Sequence, residues 1–239
     1  MVNSGSQTMN KRRGVTLIEL AVILVIIVIL IFLLLPAMQQ TRGPHPRARC
    51  RNSLKVITLA LHQYADDFGT FPPAYTVDVD GNPLHSWRTL LLPYLDHRNL
   101  YESIDLSKPW NDPVNAEALK RIPDFYSCPL MTGEKYQTLF LGVTAKEGIF
   151  IGATPRKLKE LIDKPEETLI VLEVDGDQGV PWMAPWDADE KMILQAVTKS
   201  EGPHPGGRNV AFVDVSVRTL PVETTAAELK RMMTIAGGD

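Results

Sequence analysis

Cysteine is scarce in this chain: 239 residues hold two, Cys50 and Cys128. Neither has histidines nearby at ligand spacing, so the spacing carries no structural-zinc signature. No Walker-type glycine loop and no dinucleotide fingerprint occurs, which removes two common ways of cradling a phosphate. The net charge is −3 and the distal part has no extended basic tract, so nucleic acid is excluded as a partner. Internal repeats and low-complexity tracts are also missing, so a solenoid is not expected.

What is present is concentrated at the start. Lys11, Arg12 and Arg13 precede Gly14, and a long apolar run follows. Between Val15 and Ala37 the one charge is Glu19, and positions 20 to 35 are apolar throughout. At ~1.5 Å per residue such a helix is roughly 34 Å long, enough to cross a ~30 Å hydrocarbon core. The expectation is a single-pass membrane anchor. A carboxylate in such a segment costs roughly 2–3.5 kcal/mol at mid-membrane and less near an end, so Glu19 marks a function. A secretory signal or uncleaved signal anchor also begins with a basic head and apolar residues. This run is longer than an ordinary signal core, and no A-x-A-like site follows it. Basic residues flank both ends, with Arg42, Arg47, Arg49 and Arg51 beyond the run, so charge bias does not set the orientation.

Gly14, Val15 and Glu19 behind a basic head resemble the signal of type IV prepilins and type II secretion pseudopilins. The resemblance implies that prepilin peptidase cuts after Gly14 on the cytoplasmic side and methylates the new terminus at Val15. It also implies that the anchor lies in the inner (cytoplasmic) membrane, that Glu19 pairs with the terminal amine of a neighbouring pilin-like subunit during filament assembly, and that the distal domain lies in the periplasm or at the cell surface. Val15 is a mild departure, since the family more often has Phe or Met there. The chain then divides into a leader (1–14), a membrane helix (15–37), a linker or helix continuation (38–50) and a domain (51–239). Losing the three basic leader residues takes the net charge from −3 to −6.

Gly43-Pro44-His45-Pro46 interrupts any helix that arrives there, because prolines remove donors and push their predecessors to extended geometry. The spacing of Leu54, Ile57, Leu61 and Tyr64 predicts a helix over 53–67 stopped by Gly69. Residues 87–95 form a buried short helix or turn around Pro93, and 116–121 a short helix. Apolar, β-branched runs predict strands over 136–143, 148–151 and 168–174, with a short helix over 155–162 between the last two. Strands over 210–213 and 217–220 make a hairpin, and Thr225 with Glu228 has capping-box spacing for a closing helix over 225–235. The fold class is α+β: a pilin-like N-terminal transmembrane helix, kinked or broken near Gly43–Pro46, then a helix packed on an antiparallel sheet. Outside the cytoplasm, Cys50 and Cys128 permit one disulfide, which on the chain-entropy model stabilises by roughly 4 kcal/mol. The other reading is two buried thiols.

A second set of motifs spans most of the chain: Cys50-Arg51-Asn52-Ser53-Leu54-Lys55, Leu59–Tyr64, Gly69–Pro73, Leu91–Leu95, Tyr126–Pro129, and His204 separated by nine residues from Asp214. Together these resemble a large family of bacterial pseudopilin-like proteins whose C-terminal domain has no known function. That family ends the last motif in Asp-Gly, whereas Val215 stands here, which points to a different or looser turn. No catalytic residues come with the resemblance.

Several residues are candidates for further chemistry. His204 and Asp214 can meet if Gly206-Gly207 turns the chain, as a base pair with Ser216 nearby or as a brace for the hairpin. Asp175, Asp177, Asp187 and Asp189, with Glu190, offer hard oxygen ligands for calcium or form a solvated acidic loop. Trp182 and Trp186 lie between these acids in a proline-containing loop, available to stack on a sugar ring or to pack on the sheet. His62, His85 and His97 read as structural or exposed. The expected function is a non-enzymatic pilin-like structural or interaction protein without a cofactor. The alternative is a membrane-tethered module that binds a carbohydrate or another envelope ligand. An extracytoplasmic hydrolase built on His204 is a third.

Overall fold

The computed structural model describes residues 17–39, 46–129, 135–199, 202–204 and 206–237. The leader, Gly14, Val15 and the Gly43–His45 break lie outside them. The chain divides into two compact units at His45/Pro46.

The first unit contains helix α1 (Leu17–Gln39), with Glu19 in its first turn. Its described side chains, at 17–31, are all exposed. No helix among the described residues is long and apolar enough to cross a membrane.

The second unit begins with α2 (Pro46–Phe68). Sequence periodicity starts this helix seven residues too late, because Pro46 initiates it instead of breaking it. Proline is favoured in the first helical turn, where its missing N–H has no partner to lose. Arg47 and Arg51 then reach out to the carbonyls of Gly207 and Val217 (both 3.1 Å). Cys50, Leu54, Ile57 and Leu61 recur at helical spacing and form the buried face. Gly69, at φ 71°, ends the helix by donating to the Ala65 carbonyl at 2.8 Å.

Next come β1 (Tyr75–Val77), β2 (Pro83–Ser86), α3 (Trp87–Leu90), α4 (Arg98–Glu102) and α5 (Ala116–Leu119). The second half carries β3 (Gln137–Thr138), β4 (Phe140–Thr144), β5 (Leu169–Glu173), β6 (Val180–Pro181), β7 (Ala188–Asp189), α6 (Glu190–Lys199), β8 (Arg208–Phe212), β9 (Val217–Leu220) and α7 (Ala226–Met232). The main sheet has the order β7-β4-β5-β8-β9. Its neighbours pair antiparallel except β4 with β7, which pair parallel, so the sheet is mixed and not purely antiparallel. The long excursion between β4 and β7 permits this, since parallel neighbours need a crossover and a hairpin cannot supply one. β1–β2 and β3–β6 form separate antiparallel pairs. Every residue of β5 and β8 is buried, and α2 packs on both strands.

The expected strand over 148–151 reduces to isolated bridges, and the helix over 155–162 to a 3-10 turn at Leu158–Glu160. The closing helix carries the anticipated capping box, with Thr225 and Glu228 each accepting from the other's backbone N–H.

A buried ion pair ties the loop before β7 to α3. Arg88 is fully buried and spends its donors on the carbonyls of Trp182 (2.9 Å), Phe140 (3.4 Å), Ala184 (2.9 Å) and Trp186 (2.8 Å), and on Asp187 (2.7 Å). Asp187 also accepts from the Trp87 indole (3.1 Å) and the Gly142 amide (2.7 Å). Burial pushes the Asp187 carboxyl above the usual carboxylate range, against the pull of Arg88, Gly142 and Trp87. Removing one member of such a pair strands the other charge. Arg88→Met is therefore expected to lower unfolding free energy by about 3–5 kcal/mol in urea denaturation. Arg88→Lys should recover only part of the loss, because an ammonium cannot reproduce the guanidinium fork.

Candidate functional site: a buried cysteine, glutamate and histidine cluster

Four reactive side chains from four separate segments converge beneath α2. Cys50 comes from the second turn of that helix. Cys128 follows the 3-10 turn at Asp124–Tyr126, Glu173 ends β5, and His204 precedes β8. None is more than 3 % exposed. The two Sγ atoms are 3.0 Å apart as free thiols. The Cys128 thiol donates to Glu173 Oε1 at 3.5 Å, a long contact, and His204 Nε2 lies 3.1 Å from the same oxygen. Cys50 Sγ, a Glu173 oxygen and a His204 ring nitrogen all lie within 4.8 Å of one another.

The surrounding residues fix this arrangement. Asn209, on the neighbouring strand, donates to Glu173 Oε2 at 2.8 Å, and its own amide oxygen accepts from Thr219 at 3.3 Å. Arg208 donates to the Glu173 carbonyl (2.6 Å), the Ala196 carbonyl (3.0 Å) and Asp175 (3.0 Å). Gly207, at φ 128°, lies so close to β9 that a Cβ would meet the Leu220 carbonyl oxygen at 2.2 Å. Only glycine lets the chain pass there and carry His204 inward. The Cys50 thiol is pushed well above its ordinary value by its hydrogen bond to Cys128, then by burial and the Glu173 charge.

His204 therefore pairs with Glu173, and no hydrogen bond joins it to Asp214 among the described residues. Asp214 is exposed at the β8–β9 turn, where its carboxylate accepts the Ser216 N–H at 2.9 Å. Ser216 stays in that turn, and His204 is sealed from solvent, so the base-and-nucleophile arrangement does not form. Sequence reasoning dismissed histidine as a partner for the cysteines because none stands near them at ligand spacing. His204 reaches them through the fold, and Glu173 was hidden as the last residue of an apolar strand.

The four aspartates do not form a ligand group among the described residues. Asp187 is committed to Arg88, and Asp175 pairs with Arg208. Asp189 caps α6 through the Met192 N–H (2.7 Å), and Asp177 is exposed. Trp182 is fully buried, stacked on Tyr126, with its indole donating to the Leu119 carbonyl. Trp186 is 54 % exposed and meets Trp110 edge-on at 5.6 Å. Of the lone histidines, His62 bonds the Val213 carbonyl and buried His85 the Lys108 carbonyl, both bracing backbone.

Residues 46–148 match a family model described as "Protein of unknown function (DUF1559)". The matched span includes both cysteines and the Leu91–Leu95 motif, while Glu173 and His204 lie beyond it. No curated protein and no solved structure matches the chain.

Val215 occupies the place where the resemblance puts glycine, and it keeps glycine's conformation at φ 69°. Val215 N–H closes on Phe212 O (3.1 Å) and Phe212 N–H on Ser216 O (2.9 Å), the pattern of a three-residue hairpin loop with a left-handed third residue. A β-branched residue there is strained by about 1–2 kcal/mol, and part of the relief returns as unfolded-state entropy when glycine replaces it. Val215→Gly should stabilise by about 0.5–1 kcal/mol, raising Tm by roughly 1–4 °C in calorimetry.

Proposed function

We propose that this chain is a membrane-anchored, type IV pilin- or pseudopilin-like structural or interaction protein, not an enzyme. Prepilin peptidase cleaves it after Gly14 and methylates Val15. The domain from residue 46 onward is held outside the cytoplasm, where it serves as a minor subunit of a filament or secretion apparatus. The observation that carries the reading is the run from Lys11 to Ala37: a basic head, Gly14, and a wholly apolar helix whose one charge is Glu19. A helix apolar on every face does not belong on the surface of a water-soluble domain. The partial match to a family of unknown function is compatible with this reading and adds no activity.

Mass spectrometry of the mature chain from membranes that contain prepilin peptidase tests the proposal. The expected N-terminus is N-methylated Val15, and Gly14→Val should leave the leader attached. Glu19→Leu should preserve cleavage and membrane insertion but abolish crosslinking to other pilin-like subunits. Recovery of the wild-type mature protein with Met1 and its leader intact would overturn the assignment.

A second reading rests on Trp186 and Trp110, an aromatic pair with one exposed face. It makes the domain a binding module for a carbohydrate or another envelope ligand. Buried Trp182 takes no part. Glycan-array binding by the full chain in detergent should then be lost in Trp186→Ala with the fold intact. Absence of binding by the wild type removes this reading.

A further inference from the structure

We propose that Cys50, Cys128, Glu173 and His204 form a binding site for one zinc-class divalent cation. The proposal does not depend on the pilin reading. A carboxylate and two thiols are withdrawn from water around one imidazole, a costly arrangement for a purely structural core. Arg208 and Asn209 do not resolve it. The guanidinium bonds the Glu173 carbonyl and not its carboxylate, and the amide takes only Oε2. Oε1 is left facing His204 and Cys128.

The donor atoms suit the ion. Zinc takes thiolate at ~2.3 Å and nitrogen or oxygen at ~2.0–2.2 Å in a tetrahedron, which places neighbouring donors roughly 3.3–3.8 Å apart. The observed edges are 3.0 Å between the sulfurs, 3.5 Å from Cys128 to Glu173 and 3.1 Å from Glu173 to His204. The donor atoms of Cys50, Glu173 and His204 already lie within 4.8 Å of one another, and Cys128 stands outside that group. Spreading the two sulfurs by under 1 Å and turning the Cys128 side chain toward the imidazole completes the set. The Asn209 bond to Oε2, with Thr219 holding the amide, is the outer support that ligating carboxylates commonly have.

Binding releases both thiol protons to solvent, and thiolate, imidazole and carboxylate enter the metal bonds with no change in oxidation state. The cation would bind α2, the segment after Tyr126, β5 and the residues before β8 to one centre. Because the donors are sealed, loading accompanies folding and the metal leaves only on unfolding.

A disulfide between the same cysteines is the competing state. It uses two of the four donors and leaves the Glu173–His204 hydrogen bond beside it. The test therefore reads metal and thiol state together on the full chain in detergent. Membranes are alkylated before lysis, and protein purified in parallel is denatured, refolded with zinc and dialysed. The expected result is about one zinc per chain by elemental analysis. Both thiols should resist maleimide until a chelator and denaturant are added. Cobalt in place of zinc should give tetrahedral d–d bands with a thiolate charge-transfer band. Cys50→Ser and His204→Gln should each weaken binding at least tenfold. Where a variant does not fold, wild type refolded from denaturant with zinc should have a higher Tm than wild type refolded without it, the gain saturating at one equivalent. A quantitative Cys50–Cys128 disulfide in alkylated membranes overturns the site, as does wild type refolded with zinc that holds no metal after dialysis. Unchanged stoichiometry in folded Cys50→Ser also overturns it.

Discussion

A carboxylate with no water around it is the constraint that organises the second half of this domain. Glu173 stands at the end of the central strand β5, fully buried, and every segment near it supplies a polar group to it. Asn209 reaches it from β8, His204 from the turn before β8, and Cys128 from the far side of the core. Leaving such a group unsatisfied is expensive, so these contacts fix how β5, β8 and the preceding segment register together. Gly207 is a consequence of the same demand: the chain passes flush against Leu220 to place His204, and no Cβ fits.

A second buried acid plays a parallel part at the other end of the sheet. Asp187 accepts from Arg88, Trp87 and Gly142, and Arg88 in turn gathers four carbonyls, three of them from the loop 182–186. That loop has little regular structure, so its backbone cannot satisfy itself. The guanidinium replaces the missing ladder and delivers Ala188 and Asp189 alongside β4. The parallel pairing that makes the sheet mixed thus follows from one arginine.

Periodicity made α2, β4, β5 and the β8–β9 hairpin legible, because their apolar residues repeat at helical or strand spacing. It failed where polar chemistry did the organising. Pro46 looked like a breaker because the first turn of α2 buries little, and its arginines reach the carbonyls of Gly207 before β8 and Val217 in β9. Asp187 and Asp189 read as calcium ligands or as a solvated acidic loop, because a sequence shows their charge and not their partners. Asp189 is a helix cap, and α6 behind it went unrecognised since its first residue, Glu190, was grouped with the loop acids. The cysteine pair was visible, but its glutamate and histidine were not. They lie 45 and 76 residues beyond Cys128, and only the β5–β8 pairing brings them together.

The fate of the last motif shows how one spacing can serve two ends. The nine residues between His204 and Asp214 span the whole of β8, so the histidine faces the core at one end while the aspartate turns the hairpin at the other. The motif therefore measures a strand, not a catalytic distance. Its final position demands a left-handed residue because the loop must reverse after Asp214, and Val215 accepts that geometry at a steric cost instead of changing it. The fold holds the strained residue in place because β8 is paired on both sides and cannot slip: a one-residue shift in register would carry Asn209 away from Glu173 and expose the cluster beneath α2.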